Sequence, residues 1–418
     1  MSPVSLKSVR LPYGRGRCFS CEMETERVAA VRVAPEPLTN LTQAARAALD
    51  CPLDFPPLKQ AVINTDRVVV ALDRLTPETE ILIEAVWNAL SAAGVAPDQV
   101  SIIQPASLSN GGPRDPRGRL PDEVRAAVRW SIHDPTDSEA CAYIATTTAG
   151  ERVYLAQEIV HADMVISVGE MAYDPIVGYR GTNSVFYPGL STVEAILKSR
   201  GQGHRELSPD DVRPLRQLMD EVGWLLGTLV TVQVIASANG GVADVLVGAA
   251  DSVFRRGQQL LAEHWLTELD RRVDIVVAAI DSHPHSRGWE SVGTALATAR
   301  DLVKQHGRIV ILSELDSDPT AGLSIVRRCD NPRDAQQWLR EEMPPDLVCA
   351  TQLADAVGWA DVYLLSKLNN DRVEDLFMIP LETEQEVRRL LEREGSCAFI
   401  ASAQSAFGRI IEDGVLPE

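Results

Sequence analysis

Five short, nearly uninterrupted apolar runs rich in β-branched residues constrain this chain most: Val68-Val69-Val70-Ala71-Leu72, Val100-Ser101-Ile102-Ile103, Met164-Val165-Ile166-Ser167-Val168, Ile275-Val276-Val277-Ala278-Ala279 and Ile309-Val310-Ile311-Leu312. A strand with one wet face alternates apolar and polar residues, so runs without alternation belong to sheets covered by helices on both faces. The stretches between them, Glu78 to Ala93, Pro121 to Trp130, Asp251 to Leu269 and Gly288 to Gln305, carry apolar residues at helical spacing and predict helices. The fold class is therefore α/β. Asn239-Gly240-Gly241, set between Thr231–Ile235 and Val242–Val247, predicts a hairpin, because its turn needs residues that tolerate positive φ. The segment 110–119, rich in Gly, Pro and charge, reads as an exposed loop.

Length points to two domains, since 418 residues exceed one ordinary core. A fresh strand at Ile275 after the Asp251–Leu269 stretch places the boundary near Glu268. The expected division is 1–268 with 407–418 returning to it, and 269–406. Each domain is expected to carry a Rossmann-like mixed sheet, with a cleft between the two.

A formal net charge of −19 argues against nucleic acid or an anionic membrane surface as a partner, because phosphates reward clustered Lys and Arg. No apolar run is long enough to cross a bilayer, and the N-terminus lacks a charged segment followed by an apolar one, so the cytoplasm is the expected location. Seven cysteines, an odd number, suit reduced thiols. Cys18 and Cys21 form a CxxC with no second pair at zinc-site spacing and no strand-to-helix setting for redox work, so both read as structural or incidental. Of the 40 Lys and Arg residues only Lys7, Lys59, Lys198, Lys304 and Lys367 are lysine, so any chemistry that needs a particular lysine has few candidates.

Four blocks in order resemble one family. They are Leu11-Pro12-Tyr13-Gly14 with Pro56-Pro57-Leu58; the turn Asp73-Arg74-Leu75-Thr76-Pro77; Ile132-His133-Asp134 followed by Gly150–Leu155 and Ala162–Gly169; and Gly178-Tyr179-Arg180-Gly181-Thr182-Asn183-Ser184-Val185-Phe186-Tyr187-Pro188-Gly189. The last is similar, at identical length, to a Gly-Tyr-Ser-Gly-Gly-x-Lys-x-x-x-Pro-Gly segment of the nickel-dependent lactate racemases. The likeness continues more weakly to the C-terminus.

The resemblance implies a nickel ion in a pyridinium mononucleotide pincer, joined to the protein through a lysine thioamide and ligated by one histidine. Two further histidines would move the hydroxyl proton of a 2-hydroxy acid while its hydride visits the cofactor. Imidazole suits both tasks, titrating near neutrality and binding nickel when neutral. Carried over position by position, most of these roles are lost. Ser184 stands in the place of the lysine, Asp174 and Leu108 in those of the two catalytic histidines, and Arg200 in that of the metal ligand. Asp73 is retained, but Leu75 or Thr76 replaces the arginine of its turn, and Trp289-Glu290 or Glu290-Ser291 replaces a Tyr-Gln pair with no lysine following. Lys198 is the lysine nearest the segment and reads as a surface residue.

No covalently bound cofactor is expected, and the pincer nucleotide only if held noncovalently. The polar residues left at the expected site are Asp73, Glu170, Asp174, Tyr179, Arg180, Ser184, Arg200 and His204. Arg180 and Arg200 offer forked donors for a small anionic molecule, the expected partner, while an ion pair of Arg180 with Asp174 or Glu170 is the structural alternative. Asp174, His283 and His285 are the candidates for acid and base. The two histidines, on a loop with Asp281, have the spacing of a weak metal pair, but no third distant ligand supports a metal site. Three functions stay open: a binding or regulatory module that has lost racemisation, an enzyme of altered acid–base chemistry, and a racemase or epimerase of another 2-hydroxy acid.

Overall fold

The computed structural model describes residues 5–106, 113–227, 229–281 and 288–411. Its strands, in chain order, are β1 Leu6–Tyr13, β2 Arg17–Glu24, β3 Val28–Arg32, β4 Val68–Leu72, β5 Val100–Pro105, β6 Arg129–His133, β7 Cys141–Thr146, β8 Arg152–Ala156, β9 Met164–Asp174, β10 Gly178–Arg180, β11 Leu229–Ala236, β12 Val242–Gly248, β13 Leu266–Leu269, β14 Val273–Ala279, β15 Val303–Leu312, β16 Asp361–Leu365, β17 Ile379–Leu381, β18 Cys397–Ile400 and β19 Phe407–Ile410. All five predicted apolar runs are strands. Two compact units form, one of residues 36–237 with 241–261, the other of 1–35, 238–240 and 262–418.

The first unit is built on a seven-stranded mixed sheet of order β12-β11-β9-β4-β5-β6, with β10 folded back on β9. β4, β5, β6, β9 and β11 run parallel, whereas β12 and β10 are antiparallel to their neighbours. Both faces of β4 are buried. Val68, Val70 and Leu72 join a core with Leu82, Val86 and Leu90 of the helix Thr79–Ala92, while Val69 and Ala71 join a second core with Val185, Phe186 and Leu190. That two-sided burial is why the run shows no alternation. Ile166, fully buried in central β9, belongs to the first core. Truncating it to alanine is expected to cost about 2–5 kcal/mol in urea unfolding. A loss below about 1 kcal/mol would show that this strand does not anchor the unit.

The predicted hairpin forms: β11 and β12 pair antiparallel around Asn239 (φ 58°) and Gly240 (φ 76°), with an irregularity after Ile235. Three predicted helices are shorter than expected. Asp122–Ala127 stops before β6, where Trp130 donates its indole N–H to Gln104 Oε1 at 2.8 Å; Ala250–Trp265 gives way to β13; and Trp289–Leu302 gives way to β15. Leu266–Leu269 and Val303 extend the apolar pattern of their helices but take their hydrogen bonds from strands β19 and β14.

The second unit carries a six-stranded sheet of order β17-β16-β15-β14-β18-β3. It is parallel throughout rather than mixed. Two expectations about the division are corrected here. Residues 1–35 belong to this unit, not to a domain 1–268, because β3 completes its sheet beside β18. Residues 407–410 stay in it as well, since β19 pairs in parallel with β13. The split falls within the helix Ala250–Trp265 rather than near Glu268. Cys18 and Cys21, three residues apart on β2, point to opposite faces, and both are free thiols. Among the described residues no helix is long and apolar enough to cross a membrane.

Candidate functional site

The site residues of the first unit gather where its parallel strands end, the edge at which α/β sheets present loops to ligands. Asp73 follows β4 directly, and its backbone N–H donates to Val168 O of β9 at 2.8 Å. Its Oδ1 accepts the N–H of Arg74 at 2.6 Å, and Thr76 Oγ1 donates to its carbonyl at 3.0 Å, so the turn is closed by its own residues. Thr76, at the position where the family's arginine was sought, is buried.

β9 then continues past its neighbours to Asp174, turns, and returns as β10. Asp174 makes that turn. Its Oδ1 accepts the N–H groups of Ile176 at 2.8 Å and Val177 at 2.9 Å, as turn aspartates do. That oxygen is therefore occupied by the turn itself. Gly178 (φ 77°) completes the turn, because a Cβ there would lie 2.3 Å from Pro209 O.

Arg180 forms an ion pair with Glu170, whose side chain is 10% exposed. Of the two readings left open by the sequence, the structure shows this one. Burial pushes the Glu170 carboxyl above the usual carboxylate range, with Arg180 opposing and Asp73 adding to the shift. Burial also works against the charge of Arg180, but Glu170, Asp73 and Asp174 together more than offset it and hold the guanidinium charged. An anion approaching Arg180 therefore meets three carboxylates.

The next residues form a strained loop. Gly181 has φ 113°, and a Cβ on it would lie 2.5 Å from Met171 Sδ and 3.0 Å from Gln233 Oε1. Thr182 follows at φ 52°, a left-handed conformation costly for a β-branched residue, at a position where the family segment has glycine. Arg216, buried on the helix Pro214–Leu226, compensates. It donates to the carbonyls of Tyr179 (3.3 Å) and Gly181 (3.1 Å) and to Thr182 Oγ1 (2.9 Å), pairs with Asp220, and stacks 4.2 Å over the ring of Phe254. Sequence reading missed Arg216. Its signal, an arginine in a helix of otherwise amphipathic pattern, does not differ from that of a surface arginine.

Ser184 uses its hydroxyl locally, accepting the N–H of Gly181 at 2.8 Å. Tyr179 is buried and donates to Asp210 Oδ1 at 2.7 Å, which makes it a packing residue of the loop. Arg213, also buried and also missed, donates to the carbonyls of Pro175, Ile176, Leu207 and Ser208, tying the segment before it onto the Asp174 turn; burial lowers its pKa. His204 packs on the same turn through its N–H to Pro175 O, and its ring meets Glu206 at 3.2 Å. Arg200 lies just beyond the helix Val193–Lys198, half-exposed, with no hydrogen bond to its guanidinium among the described residues. His133 is buried against Ser191 O at 2.8 Å and orients that loop.

Other candidates fall elsewhere. Lys198 points to solvent and pairs with Glu151. Trp289 is buried, its indole N–H shared between the carbonyls of Ser317 and Asp318 at 3.1 and 3.0 Å. Leu108, His283 and His285 lie outside the described residues.

This donor set does not fit a covalently held nickel-pincer nucleotide. The thioamide requires an amine, and Ser184 supplies a hydroxyl already accepting a backbone N–H. Among the described residues no three His, Cys, Asp or Glu side chains are grouped to hold a metal ion.

Comparison with known proteins places these observations. The family model of the lactate racemase N-terminal domain matches residues 13–206. The lactate racemase apoprotein from Thermoanaerobacterium thermosaccharolyticum superposes with a TM-score of 0.79 at 16% identity, covering 96% of this chain and 100% of that one. A structural-genomics crystal structure of a protein from Thermotoga maritima gives a TM-score of 0.65 at 13% identity, with 91% and 100% covered. No curated protein matches by sequence.

Proposed function

From a chain that matches the lactate racemase N-terminal domain over residues 13–206 and shares the lactate racemase fold, we propose a protein that no longer racemises 2-hydroxy acids by nickel chemistry and binds a small carboxylate-bearing molecule through Arg200, beside the Asp73–Glu170–Arg180 cluster. The observation that carries the reading is Ser184. It occupies the place of the lysine that would hold the cofactor, and its hydroxyl closes the loop onto Gly181 N–H. The positions of the two histidines that would move the hydroxyl proton hold Asp174, whose Oδ1 is engaged by two backbone N–H groups, and Leu108, which has no proton acceptor. Arg200, in the place of the metal ligand, has a fork free to take the carboxylate.

Altered acid–base chemistry at Asp174 is the weaker reading. Asp174 Oδ1 already accepts the backbone N–H groups of Ile176 and Val177, so it serves the turn and not a proton transfer.

The test is co-expression with the enzymes that build the pincer cofactor, followed by intact-mass measurement and a lactate racemisation assay. An unmodified mass and background racemisation are expected. A cofactor-sized adduct on Lys198, or robust interconversion of lactate enantiomers, would refute the loss of function.

A further inference from the structure

We infer that the ligand of this site bears an ammonium group beside its carboxylate, and is a small α-amino acid rather than a 2-hydroxy acid. This rests on the binding reading above and names the ligand class.

The charges point that way. One guanidinium, Arg180, is acted on by three carboxylates, Glu170, Asp73 and Asp174. Arg213 lies near Asp174 but spends its donors on four backbone carbonyls. Arg74 turns away to donate to Ala106 O at 3.1 Å. The half-exposed surface of the cluster is thus acidic, and a second anionic group placed on it would be repelled.

The hydrogen-bonding groups point the same way. Gln233 is 1% exposed, and its Oε1 has no hydrogen-bond partner among the described residues. That oxygen lies 3.1 Å from where a Cβ of Gly169 would sit, a point 3.4 Å from Asp73 Cβ, and 3.0 Å from where a Cβ of Gly181 would sit, so the amide is held between the two glycines beside Asp73. Asp73 itself has one oxygen occupied by Arg74 N–H and makes no other side-chain hydrogen bond among the described residues. One buried donor, Arg180 Nε, is without a partner, against two acceptors, Gln233 Oε1 and the second Asp73 oxygen, so the cluster has more acceptors to satisfy than donors.

A hydroxyl brings one proton and no charge, whereas an ammonium brings three donors and the positive charge that the carboxylates lack. The carboxylate of the same ligand has a partner in Arg200. Gly203, three residues on, packs against Pro175 beside Asp174, which keeps Arg200 Cα within about 11 Å of that contact.

Alanine, lactate and propionate are near-isosteric and differ at C2 by NH3+, OH and H. Isothermal titration of the full chain at pH 7.5 with each of them is expected to give alanine at least tenfold tighter binding than lactate or propionate. Asp73→Asn is expected to weaken alanine about tenfold and to leave lactate and propionate within twofold. Lactate or propionate binding as tightly as alanine would overturn the amino-acid inference and leave the carboxylate reading standing. Binding of none of the three would overturn both. An unchanged alanine affinity in Asp73→Asn would remove the acidic cluster from the recognition.

Discussion

Replacing Arg180 with methionine is expected to destabilise the protein by about 3 kcal/mol at pH 8, the largest effect of any conservative-volume change in the site. The reason is the partner left behind. Glu170 is buried on β9, and breaking a buried ion pair by removing one member strands a charge that the pair had offset, a loss of roughly 3–5 kcal/mol. Arg180 keeps part of its side chain in contact with solvent, which favours the lower end. The sign of the pH dependence follows from Glu170. Burial already raises its pKa with Arg180 opposing the shift, and without Arg180 the shift grows. A carboxyl whose folded pKa is raised stabilises the fold below its unfolded value, near about 4.3, and loses that contribution as pH rises through the folded value. The variant should therefore lie closer to wild type at pH 5 than at pH 8 in guanidinium unfolding. The double variant Arg180→Met/Glu170→Met should recover to within about 1 kcal/mol of wild type, since a buried pair replaced by apolar groups is often neutral. A single variant as stable as wild type at both pH values would mean that Glu170 is not held charged by Arg180.

Gly181→Ala is expected to be the other large loss, about 3–5 kcal/mol, with the site loop displaced. Two costs combine. At φ 113° and ψ 177° an L side chain is strained by about 1–3 kcal/mol, and the new methyl would lie 2.5 Å from Met171 Sδ, which adds an overpacking cost of about 1–3 kcal/mol. The methyl would also press on Gln233 Oε1 and on the Glu170 carbonyl, at 3.0 and 3.1 Å. Thermal or urea unfolding reads the stability. The displacement is read by loss of the ligand response that wild type gives in the titrations above. A folded variant within about 1 kcal/mol of wild type would show that the loop has room to relax, and that its left-handed course is not imposed by packing.

The two variants differ in how far the sequence foretold them. Gly178-Tyr179-x-Gly181 is legible as a motif through its family resemblance, and the structure supplies the contacts that explain its glycines, Pro209 O for the first and Met171 for the second. The fate of Arg180 was not legible. An arginine near two acidic residues, Glu170 and Asp174, suits an ion pair or an anion grip equally well in one dimension, and only the return of β10 along β9 sets it against Glu170. Arg213 and Arg216 were invisible for the same reason, since their partners are mostly backbone carbonyls, which every residue carries.

By itself the sequence determined the α/β class, the five buried strands, the Asn-Gly hairpin and the serine at position 184 of the Gly-Tyr segment. Each is a local matter: two-sided burial writes itself as an unbroken apolar run, a positive-φ turn selects Asn and Gly, and a hydroxyl in place of an amine at one position needs no coordinates. The tertiary structure decided where elements end and which unit they join. Leu266–Leu269 continues a helical pattern but becomes β13, because β19, more than a hundred residues later, offers its edge. The first 35 residues leave the domain that follows them because β3 finds its partner in β18, near the other end of the chain. Such pairings are chosen by hydrogen bonds and packing between distant segments, and local periodicity carries no record of which distant edge is free.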